Sequence, residues 1–142
     1  MNLSSVNIRS SVAVYQQIEN LVQFAISSGQ LKGDDQLPSV RELSERLKVN
    51  PNTVAKSYRD LEVMGLLYTR RGMGVYINKG VTSKCRDTCY KKVAKRLHEV
   101  VQEGKAAGIS KGEIQKIMTR SFGLDTDVYG DTPKAILALA KS

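Results

Sequence analysis

The run Asn50-Pro51-Asn52-Thr53, followed by Lys56 and Arg59, sets amide, hydroxyl and cationic side chains at the start and along one face of a short helix. Such groups read nucleic acid rather than break bonds. An Asn amide matches the donor and acceptor edge of adenine, a Thr bonds a phosphate or meets a thymine methyl, and a Lys one turn further on reaches a phosphate or a guanine. Arg41, near the start of the preceding helix, is placed for a phosphate or a guanine. Arg70 and Arg71 stand next to Gly72 and Gly74, whose missing side chains let the backbone approach a sugar-phosphate strand or the minor groove. No comparable set exists for catalysis. With one histidine, His98, two cysteines and no nucleophile motif, phosphate loop or metal triad, neither an enzyme nor a cofactor is expected.

These groups need elements to hold them. Val14, Ile18, Leu21, Val22 and Ala25 recur at helical spacing and predict a helix over roughly 12–28, ended near Gly29. Gly33 to Pro38 reads as a turn. Ser39 and Glu42 form a capping-box pair, in which each side chain serves an otherwise unpaired backbone N–H, and Val40, Leu43 and Leu47 give the helix behind it an apolar stripe. Asn50 is a favoured N-cap, and Pro51 suits the first helical position because its missing N–H had no partner there. The third helix should bury Val54, Tyr58 and Leu61, turn Asn52, Thr53, Lys56 and Arg59 elsewhere, and stop at Gly65. Strand formers at 66–69 and 75–77 flank the Arg70–Gly74 segment as a hairpin with a glycine-bearing tip. Three helices and a hairpin make a winged helix-turn-helix, whose third helix enters the major groove while the second braces the backbone.

The 142 residues suffice for one ordinary domain, or a small one with a helical appendage, and exclude two large ones. Hydrophobic residues make up 41% and charged residues 25%, a globular balance, and no apolar run approaches a bilayer span. The net charge of +8 favours a polyanionic partner. That excess is not confined to the reader: residues 1–80 carry 10 basic and 7 acidic side chains, residues 81–142 carry 12 and 7. Met1-Asn2-Leu3-Ser4-Ser5 has neither the basic start nor the apolar stretch of a secretory signal, so a cytoplasmic protein without a membrane partner is expected.

An ordered series of motifs lies between Val14 and Ile77: Tyr15-Gln16-Gln17-Ile18, Gly29-Gln30-Leu31-Lys32-Gly33-Asp34, Leu37-Pro38-Ser39-Val40-Arg41-Glu42-Leu43, Val49-Asn50-Pro51-Asn52-Thr53-Val54, Tyr58-Arg59-Asp60-Leu61-Glu62, Gly65-Leu66-Leu67 and Arg71-Gly72-Met73-Gly74. This segment resembles the N-terminal domain of GntR-family transcription regulators. The resemblance implies that Arg41, Asn52, Thr53, Lys56 and Gly72 occupy DNA-contacting positions. Arg59, behind the groove-facing turn, either contacts DNA or supports the fold. Only about 62 residues follow the wing, too few for the family's usual ligand-binding domain. The short helical tail is similar to the YtrA subfamily, which implies C-terminal helices that make a dimer and targets among transporter genes.

The tail supports dimerisation by its own pattern. Tyr90, Val93, Ala94, Leu97, Val100 and Val101 keep one face of a helix apolar, with Gly104 and Gly108 weakening its end. Ser110 and Glu113 form a second capping box, flanked by Ile109 and Ile114 as a hydrophobic staple, and the helix they begin presents Ile114, Ile117 and Met118. Thr132-Pro133 starts a last short helix with Ile136, Leu137 and Leu139. Little neighbouring chain is available to cover these faces, and a partner chain is the simplest cover. The expected organisation is mainly α with a small β-hairpin wing, a DNA-binding domain at 1–78 and a helical dimerisation region at 79–142. The expected function is a homodimeric repressor on a pseudopalindromic double-stranded DNA operator, with recognition helices about 34 Å apart. A small-molecule effector of unnamed chemistry, lodged between reader and tail, is a further expected partner. A winged helix used for protein interaction is the alternative, and salt-sensitive, sequence-preferring duplex binding argues against it.

Two tail features stand apart. Lys84, Arg86, Lys91, Lys92, Lys95 and Arg96 crowd the first turns of a helix, against its macrodipole, either reaching flanking phosphates or forming a solvated face. Cys85 and Cys89, one turn apart, suit buried packing better than metal or redox chemistry, since only two ligands are visible.

Overall fold

The computed structural model describes residues 12–123. In chain order it contains α1 (Val14–Ser27), α2 (Val40–Leu47), α3 (Pro51–Val63), β1 (Leu67–Arg70), β2 (Gly74–Ile77), α4 (Thr82–Ala106) and α5 (Lys111–Gly123). The architecture is mainly helical with one antiparallel hairpin, as the apolar periodicities predict. The helix expected from Thr132 lies outside the described residues.

One core joins the winged helix. Ile18, Leu21 and Ile26 of α1, Leu43 of α2, Val54 and Leu61 of α3, and Leu67 and Ile77 of the hairpin are all buried together. Each such side chain contributes ~1.5–3 kcal/mol when removed from water. The hairpin pairs Leu67 with Ile77 and Arg70 with Gly74, so Leu67 and Ile77 turn inward at its base and the cations stand at its tip. Residues 34–37 run along the outer edge of β2, where the Asp34 N–H donates to the Ile77 carbonyl at 2.7 Å and the Leu37 N–H to the Val75 carbonyl at 2.8 Å. The wing is thereby tied to the segment entering α2.

The first turns of α4 belong to the same core. Val81, Cys85 and Cys89 are buried with it, and α4 packs on α1. From Tyr90 to Val100 every residue is exposed. Gly104 does not end α4, which runs on to Ala106, because its bare backbone makes room for the next helix. A Cβ at Gly104 would lie 2.8 Å from Ile114 Cδ1. Gly108, at φ +76°, supplies the left-handed stop, with its N–H donating to the Lys105 carbonyl and that of Ile109 to Gly104. The second capping box forms in both directions: the Glu113 N–H donates to Ser110 Oγ at 3.2 Å and the Ser110 N–H to Glu113 Oε2 at 2.8 Å. Among the described residues no helix is long and apolar enough to cross a membrane.

Candidate nucleic-acid interface

Local chemistry sets the two helices of the reader. Ser39 caps α2 by accepting from the Glu42 N–H at 3.0 Å, and Asn50 caps α3 by accepting from the Asn52 N–H at 2.8 Å. Between them Lys48 adopts a left-handed conformation, φ 56° and ψ 47°, and turns the chain sharply. The buried Tyr58 hydroxyl donates to the Pro38 carbonyl at 2.7 Å, tying α3 to the residue before the cap of α2. Burial raises the pKa of this phenol far above its usual value, so it remains a donor. The buried Ser57 hydroxyl, 2.9 Å from the Tyr15 carbonyl, bonds the same inner face to α1.

With that face held inward, the opposite one is open. Arg41, Asn52 and Arg59 are exposed and Thr53 is half-buried at the first turn of α3. Asn52, Lys56 and Arg59 share one side of α3 by their spacing. Arg41 Nε sits 3.2 Å from Glu45 Oε1, and both side chains are mostly exposed. A pair of that kind is worth ~0–1 kcal/mol and yields readily to a phosphate. Lys56 is more engaged than its sequence position suggests: its Nζ is 3.2 Å from Asp60 Oδ2 and 4.4 Å from the centre of the Tyr15 ring.

Behind Lys56 lies a carboxyl pair that the helical periodicity did not disclose. Glu19 of α1 is buried, and its pKa is pushed up to about 7, first by burial and then by its hydrogen bond to Asp60 and that group's charge. Lys56 and Lys92 pull it the other way. Asp60 is held below the usual carboxylate range by the bond from Glu19 and then by Lys56.

The wing presents Arg70, Arg71 and Gly72 at an exposed tip, with Gly72 at φ +79°. Arg70 lies 5.9 Å from the Tyr68 ring and 5.4 Å from the Tyr76 ring, and the two rings stack across the strands at 5.5 Å. Gly74, at φ +126°, is crossed by Gln36, whose Nε2 would lie 2.6 Å from a Cβ there and donates to the Met73 carbonyl at 3.0 Å. At the hairpin's base the Tyr68 hydroxyl donates to Asp34 Oδ1 at 2.8 Å, and Lys79 pairs with Asp34 at 3.1 Å. Those two contacts, Tyr68 first, lower the Asp34 pKa.

Beyond the reader, Tyr90, Val93, Leu97, Val100, Ile117 and Met118 are between 38% and 75% exposed, while Val101 and Ile114 are half-buried. Where α5 departs from α4, a groove of about 380 Å³ is lined by Leu97, Val100, Val101, Ile114, Ile117, Met118 and Phe122. Both cysteines are buried, and Cys85 Sγ donates to the Gln23 carbonyl at 3.2 Å. Burial, then the neighbouring Cys89, pushes the Cys85 thiol up to about 12. Among the described residues no cluster of three metal-ligating side chains occurs. One charge of the basic run is explained: Lys84 Nζ reaches the Met64 carbonyl at 3.3 Å, at the C-terminal end of α3, where a cation is favourable.

The profile of the family described as "Bacterial regulatory proteins, gntR family" matches residues 14–77, from the start of α1 to the end of β2. The "HTH-type transcriptional repressor YtrA" of Bacillus subtilis (strain 168) is 33% identical over 122 residues, 86% of this chain and 92% of that one. The chain belongs to the gntR family of bacterial regulatory proteins. Two solved structures agree in fold along nearly their whole length. A GntR family transcriptional regulator from Listeria monocytogenes is 32% identical, covers 80% of this chain and 98% of its own, and has a TM-score of 0.64. A transcriptional regulator from Oenococcus oeni is 31% identical, covers 82% and 96%, and has a TM-score of 0.63.

As a gntR protein the chain is a transcriptional regulator rather than an enzyme, and it is YtrA-like over its length. The YtrA alignment is longer than the gntR match, so it takes in helices after the wing. Arg41, Asn52, Thr53, Lys56, Arg59, Arg70, Arg71 and Gly72 all fall inside the gntR match. Gln36, Glu19 and Tyr15, which help hold the wing and Lys56, act through partners distant in the chain and leave no local signal in the sequence, whereas Asp60 meets Lys56 within one helical turn and reaches Glu19 only through the fold. Phe122, 89% exposed at the end of α5, is an apolar residue one turn past Met118, where the predicted stripe ends.

Proposed function

We propose that this gntR regulator binds a pseudopalindromic operator as a homodimer and represses transcription by occlusion, with transporter genes among its targets. The observation that carries the reading is α3 itself: Tyr58 and Ser57 lock its inner face, and Asn52, Lys56 and Arg59 face outward beside a glycine-tipped wing. Asn52 serves as the base reader, Thr53 and Arg41 as phosphate or base contacts, Lys56 and Arg59 as cations along the groove, and Arg70, Arg71 and Gly72 as the wing's approach to the backbone. The chain divides by role near residue 78, with DNA reading before and dimerisation after. The exposed residues Tyr90, Val93, Leu97, Val100, Ile117 and Met118, with Val101 and Ile114 beside them, form the surface a second copy covers. Repression agrees with the name carried by the Bacillus YtrA relative. Such a dimer works in the cytoplasm and answers to a small-molecule effector.

Fluorescence anisotropy with duplex DNA from upstream of its own gene, repeated at several salt concentrations, tests this. Tight binding should require a defined sequence and weaken steeply with salt. Asn52→Ala should cost roughly 1–3 kcal/mol against the preferred operator and relax discrimination at one base position in each half-site. Equal affinity for unrelated duplexes of the same length would overturn the reading.

A further inference from the structure

The face that α4 turns toward α1 changes character along its length. Cys85, Cys89, Lys92, Arg96 and Glu99 recur at intervals of four and three and so form one stripe. The cysteines are buried against the core, and the charged members are exposed. At the changeover a cleft of about 260 Å³ opens between α1 and α4. Asn20, Gln23 and Phe24 line it from α1, Lys92 and Arg96 from α4.

Three features define what this cleft takes. Lys92, Lys95 and Arg96 put three cations on its lining within two helical turns, against one acid, Glu99. Among the described residues no ion pair engages any of the three. Phe24, Cys89 and Val93 supply apolar lining, and the amides of Asn20 and Gln23 add neutral hydrogen-bonding groups. The volume holds roughly nine waters at their liquid density, the scale of a small ring carrying one acidic group.

We infer that this cleft is a binding site for a small organic anion, a phosphate or carboxylate borne on an apolar group. The acidic group sits among Lys92, Lys95 and Arg96, and the apolar part lies against Phe24 and Val93. Because α1 belongs to the DNA-reading core and α4 carries the dimer face, an occupant bridging them sets the reader's position relative to the two-fold axis. This regulatory consequence rests on the proposed dimeric operator binding. The binding itself does not.

Calorimetry on the full chain, without DNA, tests the site with phenyl phosphate, inorganic phosphate and phenol as probes. Phenyl phosphate should bind once per chain and at least tenfold more tightly than either other probe. Lys95→Gln/Arg96→Gln should weaken it at least tenfold, and Lys91→Gln, outside the cleft, should leave it within twofold. No binding, equal affinity for inorganic phosphate, or an equal loss in Lys91→Gln overturns the site. If the double variant instead lowers the salt slope of DNA binding by about one unit per contact while phenyl phosphate fails to bind, the cations belong to the DNA footprint and the site is overturned. Saturating phenyl phosphate should shift operator affinity at least threefold in the unmodified chain and not in the double variant; an unmoved affinity overturns the coupling. Failure of the operator reading appears separately, as absent DNA binding by the unmodified chain.

Discussion

Lys56 faces solvent, yet its position depends on a carboxyl buried behind it. Its ammonium is shared between Asp60 and the Tyr15 ring, and Asp60 in turn holds Glu19. Glu19 Oε1 has no hydrogen-bond partner among the described residues, which fits a group that is neutral for part of the physiological range. Its pKa of about 7 lies above the ordinary 4.5, so within that window the folded chain keeps a proton that the unfolded chain has released. Stability from this group is therefore full below about 4.5 and falls as pH rises through about 7. Asp60 acts in the opposite sense, and only in acid, because its pKa is lowered. Glu19→Gln mimics the neutral form and can still donate to Asp60. It should flatten the decline in melting temperature between pH 6 and pH 8 and stabilise the chain at pH 8 by roughly 1–3 kcal/mol. Parallel melting curves for the two proteins across that range would remove Glu19 as the titrating group.

Between elements, close packing is achieved through what is missing as much as through what is present. Gly104 lets Ile114 seat on α4, and the groove between the two helices depends on that approach. Gly104→Ala brings a Cβ against the far end of a flexible side chain while gaining up to ~1 kcal/mol of helix propensity, so the two effects nearly cancel. Gly104→Leu cannot be absorbed in this way. It should displace α5, leave the melting of the winged helix within a few degrees, and shift sedimentation toward monomer; an unaltered dimer would show that α5 does not shape the interface. The helices, hairpin and caps were legible in the sequence because Ser39, Asn50-Pro51 and Ser110 with Glu113 act within one turn of themselves. From local sequence Gly104 only weakens a helix end, since glycine's intrinsic preference is all that its neighbours in the chain reveal. Its packing role depends on a residue across a turn. The pinning of the wing by Gln36, and the Glu19–Asp60 pair, likewise join elements whose separation only the fold removes.

At the scale of the molecule, one core joins both ends of the proposed mechanism: α1 packs on α3, the proposed reader, and on α4, the proposed dimer helix. Leu97, 48% exposed in the middle of the α4 face, is the position where a charge should separate the copies without disturbing the reader. Leu97→Glu should sediment as a monomer, retain its melting temperature within a few degrees, and lose at least a hundredfold in affinity for the full operator while binding a half-site normally. A variant that remains dimeric would place the interface elsewhere. The junction of α4 with α1 also contains its own chemical clock. With its thiol pushed up by burial and by the neighbouring Cys89, Cys85 presents very little thiolate at neutral pH while α4 stays seated. Alkylation by iodoacetamide, followed by mass spectrometry, should therefore be slow at Cys85 in the native chain and accelerate only as α4 lifts from α1. Its rate then measures how often α4 lifts from α1, using a thiol the chain already carries as the probe, and a rate matching that of the unfolded chain would show that α4 is not seated.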